Sequence, residues 1–270
     1  MTEVILVVLR RPEAAAGLLA AAAQLAALAP VALVNVVAMH QIIVPKALGA
    51  EALMIEADDF TIREQAETAR MTALRATYAA WRDGAAGLAT HWVEAEGSPG
   101  PVVGELGSRA DLVVCARPAE NDRLAKQEFS AALFGTDRPV LVLPPAEVPP
   151  IGRHVAIAWR DEKRALRAVI PALRWLARAE ETHLLIGLRG EAVLPPLPRV
   201  FVEHGIRPTL HLLRIGAEPF GQTLLDTAHA LGVELLVMGA YAHSPLRELI
   251  LGGVTRYMLQ HADLPILMRH

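Results

Sequence analysis

Two glycine positions near the end of the chain have the spacing of an anion-binding turn. In the segment "MGAYAHSPLRELILGGVT", residues 238–255, Gly239 closes an apolar run and the pair Gly252-Gly253 precedes a helical stretch. N–H groups at a helix start, together with the helix dipole, attract phosphate. Glycines in such a place also separate a short turn, Leu246–Leu251, from the next helix. The spacing therefore leaves open both a phosphate cradle and a purely structural turn.

Other side chains that could do chemistry form weaker patterns. No histidine pair has the i, i+4 spacing with a carboxylate that zinc sites use, so we expect no metal. A convergence of His243, His261 and His270 is the alternative, against ordinary surface histidines. Cys115 ends an apolar run, which favours an inert, buried thiol. No Ser-His-Asp order, nucleophile elbow or Walker loop is present, so the sequence predicts no enzyme with rapid turnover.

The composition limits the classes of protein and partner. A chain of 270 residues with 53% hydrophobic residues can bury one large core or two modest ones. The formal net charge of -3 argues against a nucleic-acid partner, because duplex binding needs a basic face. A single cysteine suits a reducing compartment, and we therefore expect a cytoplasmic protein.

The beginning of the chain resembles an export signal or a membrane span, because twin arginines precede a long alanine-leucine stretch. Gln24, Pro30 and Asn35 interrupt this stretch, and an apolar run lies before the arginines where a signal is polar. We therefore expect no membrane association. The segment predicts a buried strand, a helix opened by proline and a second strand: Val4–Leu9, Pro12–Ala29 and Val31–Ala38.

The same order of elements occurs twice along the chain. The proline-rich segment "LPPAEVPPIGRH" near residue 147 is typical of a linker, and it divides residues 1–146 from residues 151–270. "HVAIAWRDEKRAL" repeats the strand-to-helix start of the first half. "ELLVMGAY" matches "DLVVCARP", and "LPILMRH" matches "RPVLVLPP". We interpret the chain as two tandem domains.

Each half alternates short apolar strands with helices, which predicts an α/β fold with a doubly wound, five-stranded parallel sheet. In the helix predicted over Asp59–Arg82, apolar side chains recur every three or four residues and share one face. They are Met71, Leu74, Tyr78 and Trp81. The other elements predicted between the repeated segments are strands His91–Glu94, His183–Gly187 and Thr209–Leu213, and helices Phe220–Leu231 and Leu246–His261. Such sheets bind ligands beyond the carboxyl ends of their strands, which directs attention to the loops after Trp159, Gly187 and Met238.

The segment "LLVMGAYAHSPLRELILGGVTRYMLQHADLPILMRH" resembles the universal stress proteins, whose last unit carries glycines spaced G-x2-G-x9-G before Ser or Thr. Gly239 matches the first glycine and Gly252 the last. Ala242 stands in place of the second glycine, and Gly253 in place of the hydroxyl residue, for which Thr255 is an alternative. Two copies in one chain are similar to the tandem form of the family, with a degenerate first domain that lacks the glycine spacing.

The resemblance implies further properties of the fold and the site. It implies a Rossmann-like fold of the adenine nucleotide alpha hydrolase type, packed as an internal pseudo-dimer in which strands Val140–Leu143 and Ile266–Met268 pair edge to edge. In nucleotide-binding members an acidic residue follows the first strand, where this chain has Arg10 and Arg160. Either Asp161 takes the acidic role, or the base pocket is altered and the arginine binds a second anionic group or forms an internal salt bridge.

These considerations predict a cytoplasmic stress-response protein whose second domain binds ATP, AMP or a related anion in a regulatory role, with at most slow ATP hydrolysis. We expect it to form a homodimer. The alternative is a dimeric scaffold of the same fold that binds no nucleotide and acts through protein partners. The residues expected to contact the nucleotide are Ala158, Trp159, Asp161, Gly187, Met238, Gly239, Ala242, Gly252, Gly253, Val254 and Thr255.

Overall fold

A computed structural model describes residues 2–41, 53–145, 150–160, 163–190, 195–240 and 253–270. Within these ranges the strands are β1 Glu3–Leu9, β2 Ala32–His40, β3 Ala89–Glu96, β4 Leu112–Ala116, β5 Val140–Leu143, β6 His154–Trp159, β7 Glu181–Leu188, β8 Thr209–Arg214, β9 Leu235–Gly239 and β10 Ile266–Arg269. The helices are α1 Pro12–Ala26, α2 Leu53–Gly84, α3 Pro99–Ser108, α4 Arg123–Ser130, α5 Lys163–Leu176, α6 Arg199–Glu203, α7 Phe220–Ala230 and α8 Gly253–His261. A π-helical turn, Ala131–Gly135, follows α4 directly.

The described strands form one sheet in the order β3-β2-β1-β4-β5-β10-β9-β6-β7-β8. Each half has its third, second, first, fourth and fifth strands in that order, which is the doubly wound arrangement predicted from the sequence. Strands within a half are parallel, whereas β5 and β10 pair antiparallel with Leu141 opposite Leu267. The edge-to-edge pairing is therefore confirmed. It joins the two expected five-stranded sheets into a single continuous sheet.

Both faces of the sheet are buried, which explains the continuous apolar strands. In β1, Ile5 and Val7 belong to the core under α1, α2, α5 and α6. Leu6 and Val8 point to the opposite face and pack with residues of α3, α4, α7 and α8. The two cores, one on each face, run across both halves of the chain.

The predicted helices are confirmed, with shifted ends. The Asp59–Arg82 prediction lies inside α2, where Met71, Leu74 and Tyr78 are buried and Trp81 packs against the core. The helix α1 begins at Pro12 as predicted and ends at Ala26. Of the helix predicted over Leu246–His261, residues 246–252 lie outside the described residues. In the part of the chain that the structure describes, no helix is long and apolar enough to cross a membrane.

Candidate functional site

In the second half, three parallel strands end at one edge of the sheet, beside the start of α8. The last residue of β9, Gly239, is opposite Arg269 in β10, and the N–H of Ala240 donates to the carbonyl oxygen of Arg269 at 2.9 Å. The chain then returns through α8 to β10, which runs parallel to β9. This crossover requires α8 to begin at the carboxyl edge of the sheet. Ala242 and Gly252 lie outside the described residues.

Among the residues that the structure describes, none closes off the start of α8. Gly253 is exposed, and a Cβ atom built on it would meet no atom within 4 Å. Val254 is half-buried, and Thr255 is 4% exposed. The first N–H groups of a helix have no intrahelical acceptor, so they are available to a ligand. The open position is therefore at Gly253, whereas Thr255 lies on the buried side of the helix.

The expected base-side residues lie at the ends of β6 and β9. Ala158 is opposite Met238 in the register of these two strands, and Met238 is buried. The ring of Trp159 is buried and packs edge-on against Phe201, with 5.6 Å between ring centroids. The structure therefore brings Ala158 and Met238 together and places Trp159 in the core beside α6. Asp161 lies outside the described residues.

Gly187 is positioned by a close contact that the sequence did not reveal. A Cβ atom at Gly187 would lie 2.5 Å from Cζ of Phe220 and 3.2 Å from Cδ1 of Ile215. Real Cβ atoms are not found so close to an aromatic carbon, so glycine is required for the Phe220 ring to pack here. The half-buried Phe220 ring thus occupies one side of the end of β7. The sequence signal that could have indicated this contact is the aromatic residue at the first position of the predicted helix Phe220–Leu231.

Cationic side chains border this edge of the second half, and the first half contributes to them. Arg269 at the end of β10 donates to the carbonyl oxygen of Asp137 at 3.2 Å. Arg167 of α5 donates to the carbonyl oxygen of His270 at 3.4 Å. Arg160 directly follows β6 and is exposed, as is Arg256 on α8. The concentration of guanidinium groups favours a negatively charged ligand.

The corresponding edge of the first half is closed by an ion-pair network. Arg10, which follows β1, forms an ion pair with Asp122, and its Nε lies 3.6 Å from Oε2 of Glu128. Arg70 of α2 donates to the carbonyl oxygens of Arg10 and Met39, at 2.5 and 2.6 Å. The internal salt bridge is thus the interpretation that the structure confirms for Arg10.

The pKa values of this network reflect its burial. Glu128 is 4% exposed, and burial raises its pKa to about 7, against the smaller opposite effects of Arg10 and Arg11. Burial also lowers the pKa of Arg10, opposed by the charge of Glu128. Glu67 forms an ion pair with Arg70 at 2.6 Å and accepts from the N–H of Gln41. These contacts place protein side chains on the part of the first-half edge between β1, α2 and α4.

The described residues contain no group of three or more His, Cys, Asp or Glu side chains close enough to hold a metal ion. His261 packs against Tyr257 and His270 against Phe134, with ring centroids 4.3 and 5.0 Å apart. His243 lies outside the described residues. Cys115 is fully buried, and burial raises the pKa of its thiol well above the ordinary value, which disfavours the reactive thiolate.

Two surface cavities formed by described residues lie away from the second-half edge. One, of about 510 Å³, is lined by Glu13, several alanines of α1 and the ends of β4 and β5. The other, of about 220 Å³, lies near the amino end of β7, between α5 and the segment after α6. The first is lined almost wholly by small apolar groups, which offer little to fix a polar ligand in one orientation.

Comparison with known proteins shows similarity to one family over the second half and to solved structures over nearly the whole chain. Residues 160–270 match the model of the universal stress protein family. A universal stress protein from Archaeoglobus fulgidus DSM 4304 is 12% identical, with a TM-score of 0.63 over 98% of this chain and 95% of that chain. A functionally unknown protein from Pseudomonas aeruginosa PAO1 is 16% identical, with a TM-score of 0.60 over 99% of this chain and 92% of that one. The comparison with curated protein sequences gave no match.

Proposed function

We propose that the second half, whose residues 160–270 match the model of the universal stress protein family, binds ATP, AMP or a related anion in a regulatory stress response. We also propose that the two halves form a tandem pair of domains within one polypeptide; the structural likeness to a universal stress protein over 98% of this chain and 95% of that chain supports this. We further propose that the protein acts in the cytoplasm as a homodimer, with no more than slow ATP hydrolysis. The first half serves a structural role.

One observation carries the proposal: the two halves have the same topology, but the residues that the structure describes at the ligand edge differ between them. In the first half, Arg10 and two carboxylates fill this edge. In the second half, Gly253 at the start of α8 is exposed with space around it. An open helix N-terminus with neighbouring guanidinium groups is suited to phosphate oxygens.

The residues take their roles from their positions at this edge. Gly239 and the first turn of α8 would contact phosphates, with Gly252 and Ala242 in the connecting loop. The ends of β6 and β7 would line the base and ribose, with Ala158, Trp159, Asp161 and Gly187. The Phe220 ring, which packs on Gly187, provides an apolar surface for a base at the end of β7.

A second candidate function has support from the same residues. The Phe220 ring fills space beside Gly187, and Arg160 stands where nucleotide-binding members carry an acidic residue. Guanidinium groups only donate hydrogen bonds, so Arg160 cannot accept one from the amino group of adenine. These features favour a scaffold that binds protein partners instead of a nucleotide, and ATP binding distinguishes the two.

The test is equilibrium binding of ATP to the full chain and to Gly253→Asp. An aspartate at the first position of α8 has room and complements the helix dipole, so the fold is retained while the phosphate is repelled. We expect micromolar affinity in the wild type and at least a tenfold loss in this variant. Gly253→Asn, of nearly the same shape without the charge, is the matched control and should lose much less.

The first contradicting outcome is no detectable binding of the wild type at millimolar ATP, which would reject the nucleotide. The second is an equal loss of affinity in both variants, which would point to a steric effect and reject the electrostatic role of the start of α8. The first outcome with an intact dimer supports the scaffold.

A further inference from the structure

The first-half ion-pair network contains an uneven set of charges in a buried place. Arg10 contacts both Asp122 and Glu128, so one guanidinium serves two carboxylates. Glu128 is 4% exposed, and its Oε2 accepts no hydrogen bond from the residues that the structure describes. A buried carboxylate without a donor is costly, and the group avoids this cost by binding a proton. Glu128 therefore binds a proton more tightly in this place than an exposed glutamate in water does.

The network joins a defined segment to the sheet. We name residues Arg123–Gly135, which comprise α4 and the π-helical turn, the latch segment. Asp122 caps α4 by accepting from the N–H of Ala125 at 3.0 Å, and Glu128 lies within the same helix. Arg10, immediately after β1, thus contacts α4 at both places. Phe129 and Leu133 anchor the segment in the core.

We propose that Glu128 is a proton-controlled latch that holds the latch segment against the end of β1 when protonated and loosens it when ionised. In the protonated state Arg10 pairs with Asp122 alone, and no uncompensated negative charge is buried. In the ionised state the charge of Glu128 is incompletely solvated, which favours conformations in which the segment opens to water. The device works independently of any nucleotide in the second half.

The other groups around Glu128 do not remove this imbalance. Arg11 lowers the pKa of Glu128 less than Arg10 does, and its Nε lies 3.7 Å from the carboxylate of Glu13. Arg70 approaches Arg10 from α2 but contacts Glu67 and backbone carbonyls. From β4, the nearest titratable group is the thiol of Cys115, which burial keeps neutral. Among the residues that the structure describes, Arg10 is therefore the cation that contacts Glu128, and burial outweighs the combined effect of Arg10 and Arg11 on its pKa.

The test is amide hydrogen exchange of residues 124–135 in the full chain at pH 6.0 and 8.5, corrected for the intrinsic exchange rate. With the pKa of Glu128 at about 7 in the folded state and 4.5 in the opened state, linkage predicts roughly a tenfold increase in the opening equilibrium. Glu128→Gln, which mimics the protonated side chain, should show no such increase. Glu120→Gln, at an exposed position just before α4, is the matched control and should behave as the wild type.

Two results would overturn the proposal. Either the wild-type segment shows the same opening at both pH values, or Glu128→Gln shows the same tenfold increase as the wild type. A carboxyl-carbon NMR titration of Glu128 in the wild type tests the proposal without any substitution. It should show an inflection near neutral pH, and an inflection near 4.5 would reject the latch.

Discussion

At the scale of single residues, the sequence predicted which residues lie at the strand ends. It did not predict which side chains these residues contact. Arg10 and Arg160 follow the first strands of the two halves, and the resemblance to the universal stress proteins marked both as departures from an acidic residue. The partners of Arg10, Asp122 and Glu128, lie more than 100 positions away along the chain. No local pattern specifies such a pairing, because it depends on which helix the topology places beside β1.

Gly187 shows the same limit in a residue expected to contact the ligand. The sequence indicated a glycine at the end of a strand, in a loop expected to contact the nucleotide. In the structure the space beside Gly187 belongs to the Phe220 ring. The reason for the glycine is therefore tertiary packing. It could be predicted only if the position of α7 beside β7 were already known.

Gly187→Ala is therefore expected to destabilise the fold itself. The added methyl group would meet Cζ of Phe220 at 2.5 Å, and overpacking of this kind costs about 1–3 kcal/mol of unfolding free energy. Urea denaturation measures the loss. Gly216→Ala, where no atom lies within 4 Å of the added carbon, is the control. If both variants lose a similar amount of unfolding free energy, or if Gly187→Ala loses none, contact with Phe220 is not the reason that residue 187 is a glycine.

At the scale of the elements, the strongly periodic segments were predictable. Strands with continuous apolar runs and the α2 face of Met71, Leu74 and Tyr78 follow from hydrophobic spacing. The helix α3 was missed because its sequence, "PGPVVGELGS", contains two prolines and three glycines. Packing of Val103 and Gly107 in the core stabilises it despite this low helix propensity.

A second feature at this scale is a histidine pair across β7 and β8. Nδ1 of His183 lies 3.2 Å from Nε2 of His211, and His183 is 5% exposed. Burial, followed by the neighbouring His211, lowers the pKa of His183. The folded state therefore resists protonation of this ring more strongly than the unfolded state does. Stability conferred by neutral His183 is present above pH 6.5, the unfolded value, and is lost as the pH falls through the folded pKa.

We expect acidification from pH 7 to pH 5 to lower the midpoint of thermal unfolding, and His183→Phe to weaken this dependence. Phenylalanine keeps a ring of similar size and cannot be protonated. His91→Phe, on the opposite edge strand β3 where the histidine is exposed, should leave the pH dependence as in the wild type. If His183→Phe and the wild type respond to acid alike, the pair has no role in acid sensitivity.

At the scale of the whole molecule, the duplication and the pairing of β5 with β10 were predicted, the latter from the family resemblance. The side-chain contacts that join the two halves in addition to this strand pairing were not predicted. Arg174 of α5 binds the carboxylate of Glu3 in β1, and Arg178 donates to the carbonyl oxygen of Leu28 at 2.5 Å. Such contacts join residues more than 100 positions apart, so they follow from the assembled sheet and not from sequence patterns.

Arg174→Ala should weaken the whole fold, because it leaves Glu3 buried without its partner. Glu3 is 7% exposed and Arg174 is 38% exposed, so solvent screening reduces the cost below that of a fully buried pair. We expect a loss of about 1–3 kcal/mol in unfolding free energy, in one cooperative transition across the continuous sheet. Arg207→Ala, at an exposed position, is the control. Equal losses of unfolding free energy in the two variants would show that this ion pair does not stabilise the contact between the halves.

The number of ATP molecules bound per chain tests the central claim most directly. We propose that the two halves share one topology but that only the second binds an anion, at the start of α8. In the first half, Arg10 and its two carboxylates occupy the corresponding position. Equilibrium dialysis with saturating ATP should therefore give one nucleotide per chain in the wild type. Two nucleotides per chain, or none, would contradict it.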